Sequence, residues 1–197
     1  MKVLVQFTGA QGTGKTTLVN LLNRAYKSEF IGETSRKLKQ ASIIPSLDIE
    51  ATSQTQLLIN QELSLQYSEF INNPSKELAF AERSPICCKA YSKLLIADNA
   101  TTYMLEATDR FIKSIQMWGT NKGCALITVY VPPVIDFVED NVRCASSRDQ
   151  VDCMVREILK SYNIPYYELK GLSVEDRVVE ITSLLYDTWA QILPSSL

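Results

Sequence analysis

Gly9-Ala10-Gln11-Gly12-Thr13-Gly14-Lys15-Thr16 fits G-x-x-x-x-G-K-[ST] at every fixed position, and nothing else in the 197 residues narrows the fold as much. The motif works only as a turn from a strand into a helix. Both flanks comply: Lys2–Thr8 is a β-rich run before it, and Leu18, Val19, Leu21, Leu22 and Ala25 mark an apolar helix face after it. Glycines let successive backbone N–H groups turn inward, and the helix N-terminus adds a positive dipole, so the loop cradles phosphate oxygens. Lys15 is spaced to reach β- and γ-phosphates, and the Thr16 hydroxyl is a ligand for Mg²⁺. Residues Gly9, Ala10, Gln11, Gly12, Thr13, Gly14, Lys15, Thr16 and Thr17 are therefore the expected ATP-binding set.

The rest of the chain alternates strand and helix patterns without repeats. Residues 29–32, 77–81, 125–131 and 165–169 read as further strands, the run at 125–131 being rich in β-branched side chains and closed by Pro132-Pro133. Helical patterns cover 52–72, 85–97, 103–118, 148–162 and 174–192. Ser84-Pro85 has the form of an N-cap followed by proline at the first helical position. Apolar strands separated by helices imply a parallel sheet covered on both faces, with ligands beyond the carboxyl ends of its strands. One domain over 1–197 is expected, with a lid segment near 134–150.

Composition closes several routes. The chain has no histidine, which removes Ser-His-Asp and Cys-His nucleophiles and His-containing zinc sites. Its five cysteines form an odd set without C-x-x-C spacing, as expected of reduced thiols in an intracellular protein. With 20 Lys and Arg against 22 Asp and Glu, it lacks a strongly basic footprint, so nucleic acid is a possible but unfavoured partner. The first residues do not form a signal-peptide core and no run is long enough for a membrane span, so the expected location is the cytoplasm. No D-x-x-G exists, and Asn121-Lys122-Gly123-Cys124 lacks the aspartate of N-K-x-D, which argues against a GTPase switch. Transporter ATPases lack support without a Leu-Ser-Gly-Gly stretch, and hexameric ATPases without room for their helical lid.

Acids and arginines gather at the expected strand ends. Glu33 follows the second strand and Glu82 the third, and both strands should end on the edge that carries the glycine loop. One carboxylate can hold Mg²⁺ while the other takes a proton from an acceptor hydroxyl. Glu82 is assigned to the metal and Glu33 to the acceptor, roles that could be exchanged. Arg36 and Arg83 are planar donors suited to a phosphate. Arg143 and Arg148 flank a helix start after the Pro-Pro break, where a hinged segment could close over the phosphates and stabilise charge on the transferring group. Gln61, on an amide-rich helix, is a candidate contact for an acceptor base.

These residues together resemble the P-loop nucleoside and nucleotide kinase superfamily, and most nearly its small ribosylnicotinamide-kinase-like group, which includes many bacteriophage proteins. Gly32-Glu33-Thr34-Ser35-Arg36 is similar to the acceptor-phosphate segment of adenylate kinases, and Glu82-Arg83-Ser84 to a segment of deoxynucleoside kinases. Asp140-Asn141-Val142-Arg143 through Arg148 resembles the D-G-x-R lid of the ribosylnicotinamide group, with Asn141 where glycine is usual. The resemblance implies a five-stranded parallel sheet flanked by helices, a short arginine-bearing lid, ATP and Mg²⁺ as cofactors, and a small nucleoside or nucleotide as acceptor. The catalytic set it implies is Lys15, Glu33, Arg83, Arg143 and Arg148; the acceptor set is Glu33, Arg36, Gln61 and Arg83; the metal set is Thr16 and Glu82. Two other activities fit: a phage-type kinase of hydroxymethylated pyrimidine in DNA, and an ATPase or regulatory switch that passes phosphate to water. The oligomeric state stays open, a homodimer included.

Overall fold

The computed structural model describes residues 2–32, 34–41, 43, 53–94, 100–134 and 147–192. Strand β1 (Lys2–Thr8) runs into the glycine loop and helix α1 (Lys15–Tyr26). There follow β2 (Glu29–Ile31), α2 (Thr34–Gln40), α3 (Ser53–Asn72), β3 (Leu78–Ala81), α4 (Pro85–Leu94) and α5 (Ala100–Asn121). The chain continues through β4 (Cys124–Tyr130), α6 (Arg148–Ser161), β5 (Tyr167–Glu168) and α7 (Val174–Ile192). All strand pairs are parallel, in the order β2-β3-β1-β4-β5. This is the expected α/β sheet with helices on both faces.

Burial follows from position. β1 is central and is buried from Val3 to Thr8, because helices cover it on both faces. Side chains alternate between faces along a strand. Val3, Val5 and Phe7 accordingly pack with Leu18, Val19 and Leu22 of α1 and Ile181 and Leu185 of α7. Leu4 faces the other layer, with Ile59, Leu63 and Tyr67 of α3 and Phe111 and Ile115 of α5. The polar Gln6 is tolerated there because it is satisfied: it donates to the Thr128 hydroxyl at 2.9 Å and accepts from Tyr67 at 3.2 Å.

Connection handedness decides which layer each helix joins. The step from β1 to β2 runs one way along the sheet, whereas β3 to β4 and β4 to β5 run the other way. Right-handed crossovers then put α1 on one face and α4, α5 and α6 on the opposite one. Neighbouring strands β1 and β3 thus send their connections to opposite faces, which opens a crevice at their carboxyl ends.

Three elements differ from the sequence reading. α2 was not expected. β5 is confined to Tyr167–Glu168 and begins two residues after Pro165, which has no N–H to give a ladder. α5 is longer at both ends than the apolar pattern indicated.

Candidate nucleotide site

The crevice between β1 and β3 is where the glycine loop stands. Gly9 has φ +143°, and a Cβ there would come within 2.4 Å of the Val131 carbonyl oxygen, so β1 and β4 can converge only on glycine. Gly14 caps α1 in a left-handed conformation (φ 85°), with no side-chain cap on the first helical N–H groups among the described residues. Those donors and the helix dipole point to an anion. Lys15 curls over the loop, donating to Gly9 O and the Thr13 hydroxyl at 3.0 Å each and also to Ala10 O. Thr13 in turn donates to Ala10 O at 3.1 Å. The loop is braced by its own side chains.

The Thr16 hydroxyl donates directly to the Glu82 carboxylate. Both supply oxygen, the donor type that suits Mg²⁺. No cluster of three acidic, cysteine or histidine residues forms a metal cage among the described residues. Mg²⁺ bound through few carboxylates plus substrate phosphates needs none. The fit to Mg²⁺ is therefore good. Gly32 lies against Glu82 so closely that a Cβ would approach the Glu82 Cβ to 2.8 Å. That contact, with Glu82 N bonding to Ile31 O at 2.8 Å, brings the ends of β2 and β3 together.

Arg83 stacks over the Tyr91 ring, 5.0 Å from its centroid, and its carbonyl accepts from Tyr67 at 3.1 Å. Tyr91 donates to the Gln11 side-chain oxygen, and the Gln11 amide donates to Ser147 at 3.0 Å. Ser147 immediately precedes Arg148, the first residue of α6. Gln11 thus ties the loop both to the helix under Arg83 and to the helix that Arg148 opens. Asp152 on α6 is engaged by Tyr130 at 2.6 Å and Arg156 at 3.2 Å. Ser84 caps α4 as expected, its hydroxyl accepting from Cys87 N at 3.3 Å. The Cys87 thiol sits between the Thr8 hydroxyl at 3.3 Å and Gly9 O at 3.6 Å. Burial pushes its pKa up, but Lys15, the Thr8 hydroxyl and Arg83 outweigh this and leave it below the ordinary value.

Of the expected residues, the loop set, Arg83 and Glu82 meet at one crevice, and Arg148 is linked to it through Ser147. Arg36 falls in α2 and is placed by its backbone alone. Glu33, Arg143 and the lid positions 135–146 lie outside the described residues. Gln61 is exposed on α3. The buried amides are Gln56 and Asn60, one helical turn apart on the inner face that also carries Leu63 and Tyr67. The Gln56 and Asn60 side-chain oxygens and the Thr34 hydroxyl of α2, which packs on α3, are buried without a hydrogen-bond partner. Arg177 was also missed. It interrupts the apolar stripe of Val174, Ile181 and Leu185 on α7, a signal readable in the sequence.

A strand–glycine loop–helix with its lysine, hydroxyl and strand-end acid at a sheet crevice defines a P-loop α/β protein. The chain belongs to the family described as AAA domain, whose model matches residues 4–177. No curated protein matches it. Among solved structures it is similar to the NadR protein in complex with NR, at 19% identity and TM-score 0.77, over 94% of this chain and 51% of that one. The chain thus spans about half the length of NadR. It is also similar to deoxyadenosine kinase from M. mycoides, at 14% identity and TM-score 0.59, covering 95% of this chain and 100% of that one. Thymidylate kinase from Candida albicans matches at 12% identity and TM-score 0.64, over 95% and 92% of the two chains. Among the described residues, no helix is long and apolar enough to cross a membrane.

Proposed function

We propose that the protein is a phosphotransferase that moves the γ-phosphate of ATP to a small nucleoside or nucleoside monophosphate. The observation that carries this reading is the trio of buried, unpartnered oxygens on Thr34, Gln56 and Asn60. They lie on α2 and on the inner face of α3, the helix whose Gln66 accepts from Gly32 N at 3.1 Å. Each unsatisfied acceptor costs about 1–3 kcal/mol, which a ligand bringing N–H or O–H donors recovers. Water as the phosphate acceptor needs no such surface. The names of the solved neighbours, NadR, deoxyadenosine kinase and thymidylate kinase, support the same substrate class.

In this reading the loop N–H groups and Lys15 bind the β- and γ-phosphates, and Arg83, Arg143 and Arg148 donate to the transferring group. Thr16 and Glu82 are the protein groups that would hold Mg²⁺. When bound, that ion neutralises charge on the phosphates. Glu33 takes the proton of the acceptor oxygen as that oxygen bonds to the γ-phosphorus and the bond to the β-phosphate oxygen breaks. Arg36 serves an acceptor that carries its own phosphate.

A second reading is an ATPase that passes phosphate to water. One experiment separates the two: incubation with γ-labelled ATP and Mg²⁺ against nucleosides, monophosphates, ribosylnicotinamide and hydroxymethylated DNA. Label recovered on a nucleoside or monophosphate supports the kinase. Label released only as inorganic phosphate, at a rate no acceptor changes, refutes it, and label on DNA moves the substrate class to nucleic acid.

A further inference from the structure

On the face of the sheet opposite α1, the helices leave a slot open over β4. α5 and α6 both pack on α4 and hardly on each other. Leu126 and Thr128 of β4 register with Leu4 and Gln6 of β1 and face the same layer. The slot above them has a volume of about 350 Å³. Native interiors seldom hold voids much larger than a water molecule, and this volume falls in the range of small-molecule pockets.

A polar tie keeps the two walls apart. Lys89 of α4 donates to the Asp109 carboxylate of α5 and, at 2.6 Å, to the hydroxyl of Tyr162, the residue that ends α6. Tyr162 in turn donates to Asp109. Asp109 stands about one turn before Ile112, and Tyr162 two residues before Ile164, and both isoleucines line the slot. The width is thus set by hydrogen bonds of fixed length, and the walls do not close on each other as apolar side chains otherwise would.

The lining selects a ligand class. Ile86, Ile112, Ile115, Leu126 and Ile164 give apolar walls, and among the described residues no Lys, Arg, Asp or Glu lines the slot. A charged ligand would lose its hydration there without gaining a counter-charge. The floor is polar. Among the described residues Thr128 makes one side-chain hydrogen bond, with the Gln6 amide at 2.9 Å, and Gln6 makes one more, with Tyr67 at 3.2 Å. A hydroxyl can make three and a side-chain amide four, so both keep capacity where they border the slot. We propose that the slot is a second ligand site. It takes a small neutral molecule with an apolar body, on the order of ten non-hydrogen atoms in all, and one hydroxyl or carbonyl group that bonds to Thr128 and Gln6. Lys15, Thr16, Glu82 and Arg83 are not among its walls, so the site lies beyond the phosphotransferase reading and stands without it.

The test uses 4-propylphenol as probe and NMR of protein labelled at the isoleucine δ1 methyls. Ile86, Ile112, Ile115 and Ile164 should shift saturably, with Kd about 0.1–1 mM, while Ile31, Ile59 and Ile181 stay in place. Propylbenzene, which lacks the hydroxyl, should bind about two- to tenfold more weakly, the scale of one hydrogen bond. The charged 4-propylbenzoate should not shift these methyls. Ile115→Trp, which fills the slot, should abolish the shifts at the other three isoleucines. Ile115→Phe should weaken them and carries the test if Ile115→Trp does not fold. Shifts spread evenly over all isoleucines, or none at the probe's solubility limit, would overturn the proposal. Equal binding of phenol and hydrocarbon, benzoate binding on a par with the phenol, or full binding by a folded Ile115→Trp would overturn it too. ATP with Mg²⁺ should leave the shifts in place, and displacement of the probe by ATP would move it to the crevice and refute a separate site. None of these readouts uses turnover, so failure of the kinase reading and failure of this inference are seen separately.

Discussion

The two sides of the crevice are built on opposite principles. On the β1–α1 side, the polar groups of the loop find partners within the chain: Lys15 on Gly9, Ala10 and Thr13, Thr16 on Glu82, and Gln11 on Ser147 and Tyr91. On the α2–α3 side, Thr34, Gln56 and Asn60 carry buried oxygens that the chain leaves without a partner. The first side is a phosphate cradle whose shape is held by hydrogen bonds within the chain. On the proposed reading the second is completed by the acceptor that enters it. A self-satisfied site holds its shape for a donor common to many proteins. On the proposed reading the unsatisfied one holds the selectivity, because leaving a buried polar group unpaired is the strongest way to reject a wrong ligand.

The sharpest way to break this contrast is on the cradle side. Lys15→Ala should lower kcat by about 10²–10³-fold, the usual consequence of losing one donor to transferring charge, with far-UV circular dichroism unchanged. Turnover close to wild type would mean that the cradle does not seat the reacting phosphate. Next in size is Glu82→Gln, which keeps the shape but removes the charge beside Thr16. Groups that orient a metal typically contribute 10- to 100-fold, so the Mg²⁺ requirement should rise by about that factor while melting temperature barely moves. A Mg²⁺ titration identical to wild type would remove Glu82 from the metal site.

The other side should respond with the opposite signature. Gln56→Met and Asn60→Leu discard oxygens that are unpaired in the free protein. Acceptor KM should therefore rise about 5- to 100-fold, corresponding to about 1–3 kcal/mol, with KM for ATP unchanged. Melting temperature should stay level or rise, because a buried unsatisfied group is removed. Melting temperature falling with acceptor KM unchanged would make these amides ordinary packing and erase the asymmetry.

Legibility in the sequence divides along the same line. The cradle could be read because its chemistry is local: one eight-residue segment sets the turn, the lysine and the hydroxyl, and the flanking periodicities set strand and helix. Glu82 and Arg83 could be placed because a parallel sheet puts successive strand ends on one edge. On the acceptor side, choosing among the amides of α3 depends on which face packs inward. Gln61 and Asn60 are adjacent in sequence but about 100° apart around the helix. α2 is a single short helix with little pattern of its own. Arg177 joins residues 164 positions apart, a contact that only the tertiary fold creates.

The smallest effect tests whether the contrast reaches into α4, where two neighbouring thiols point to different surroundings. Cys88 packs in the apolar layer with Leu63, Tyr67 and Phe111. Burial pushes its pKa up to about 12, despite opposition from Arg83. Cys87, against the phosphate loop, is displaced downward. The signs of the linked stability terms follow. Above pH 9 the unfolded chain has lost the Cys88 proton while the folded chain keeps it, so Cys88 makes stability fall as pH rises toward 12, by on the order of 1 kcal/mol per pH unit. For Cys87 the folded chain loses its proton first, so its contribution is present above pH 9 and is lost as pH falls through the lower folded value. Urea midpoints from pH 7 to 11 should therefore show Cys88→Ala flattening the alkaline decline and Cys87→Ala flattening a rise below pH 9. The comparison is of slopes, which the cavity left by each truncation does not alter. The same slope change from both variants would show that the phosphate loop's cations do not reach the thiol behind it, and that the two faces of α4 are electrostatically alike.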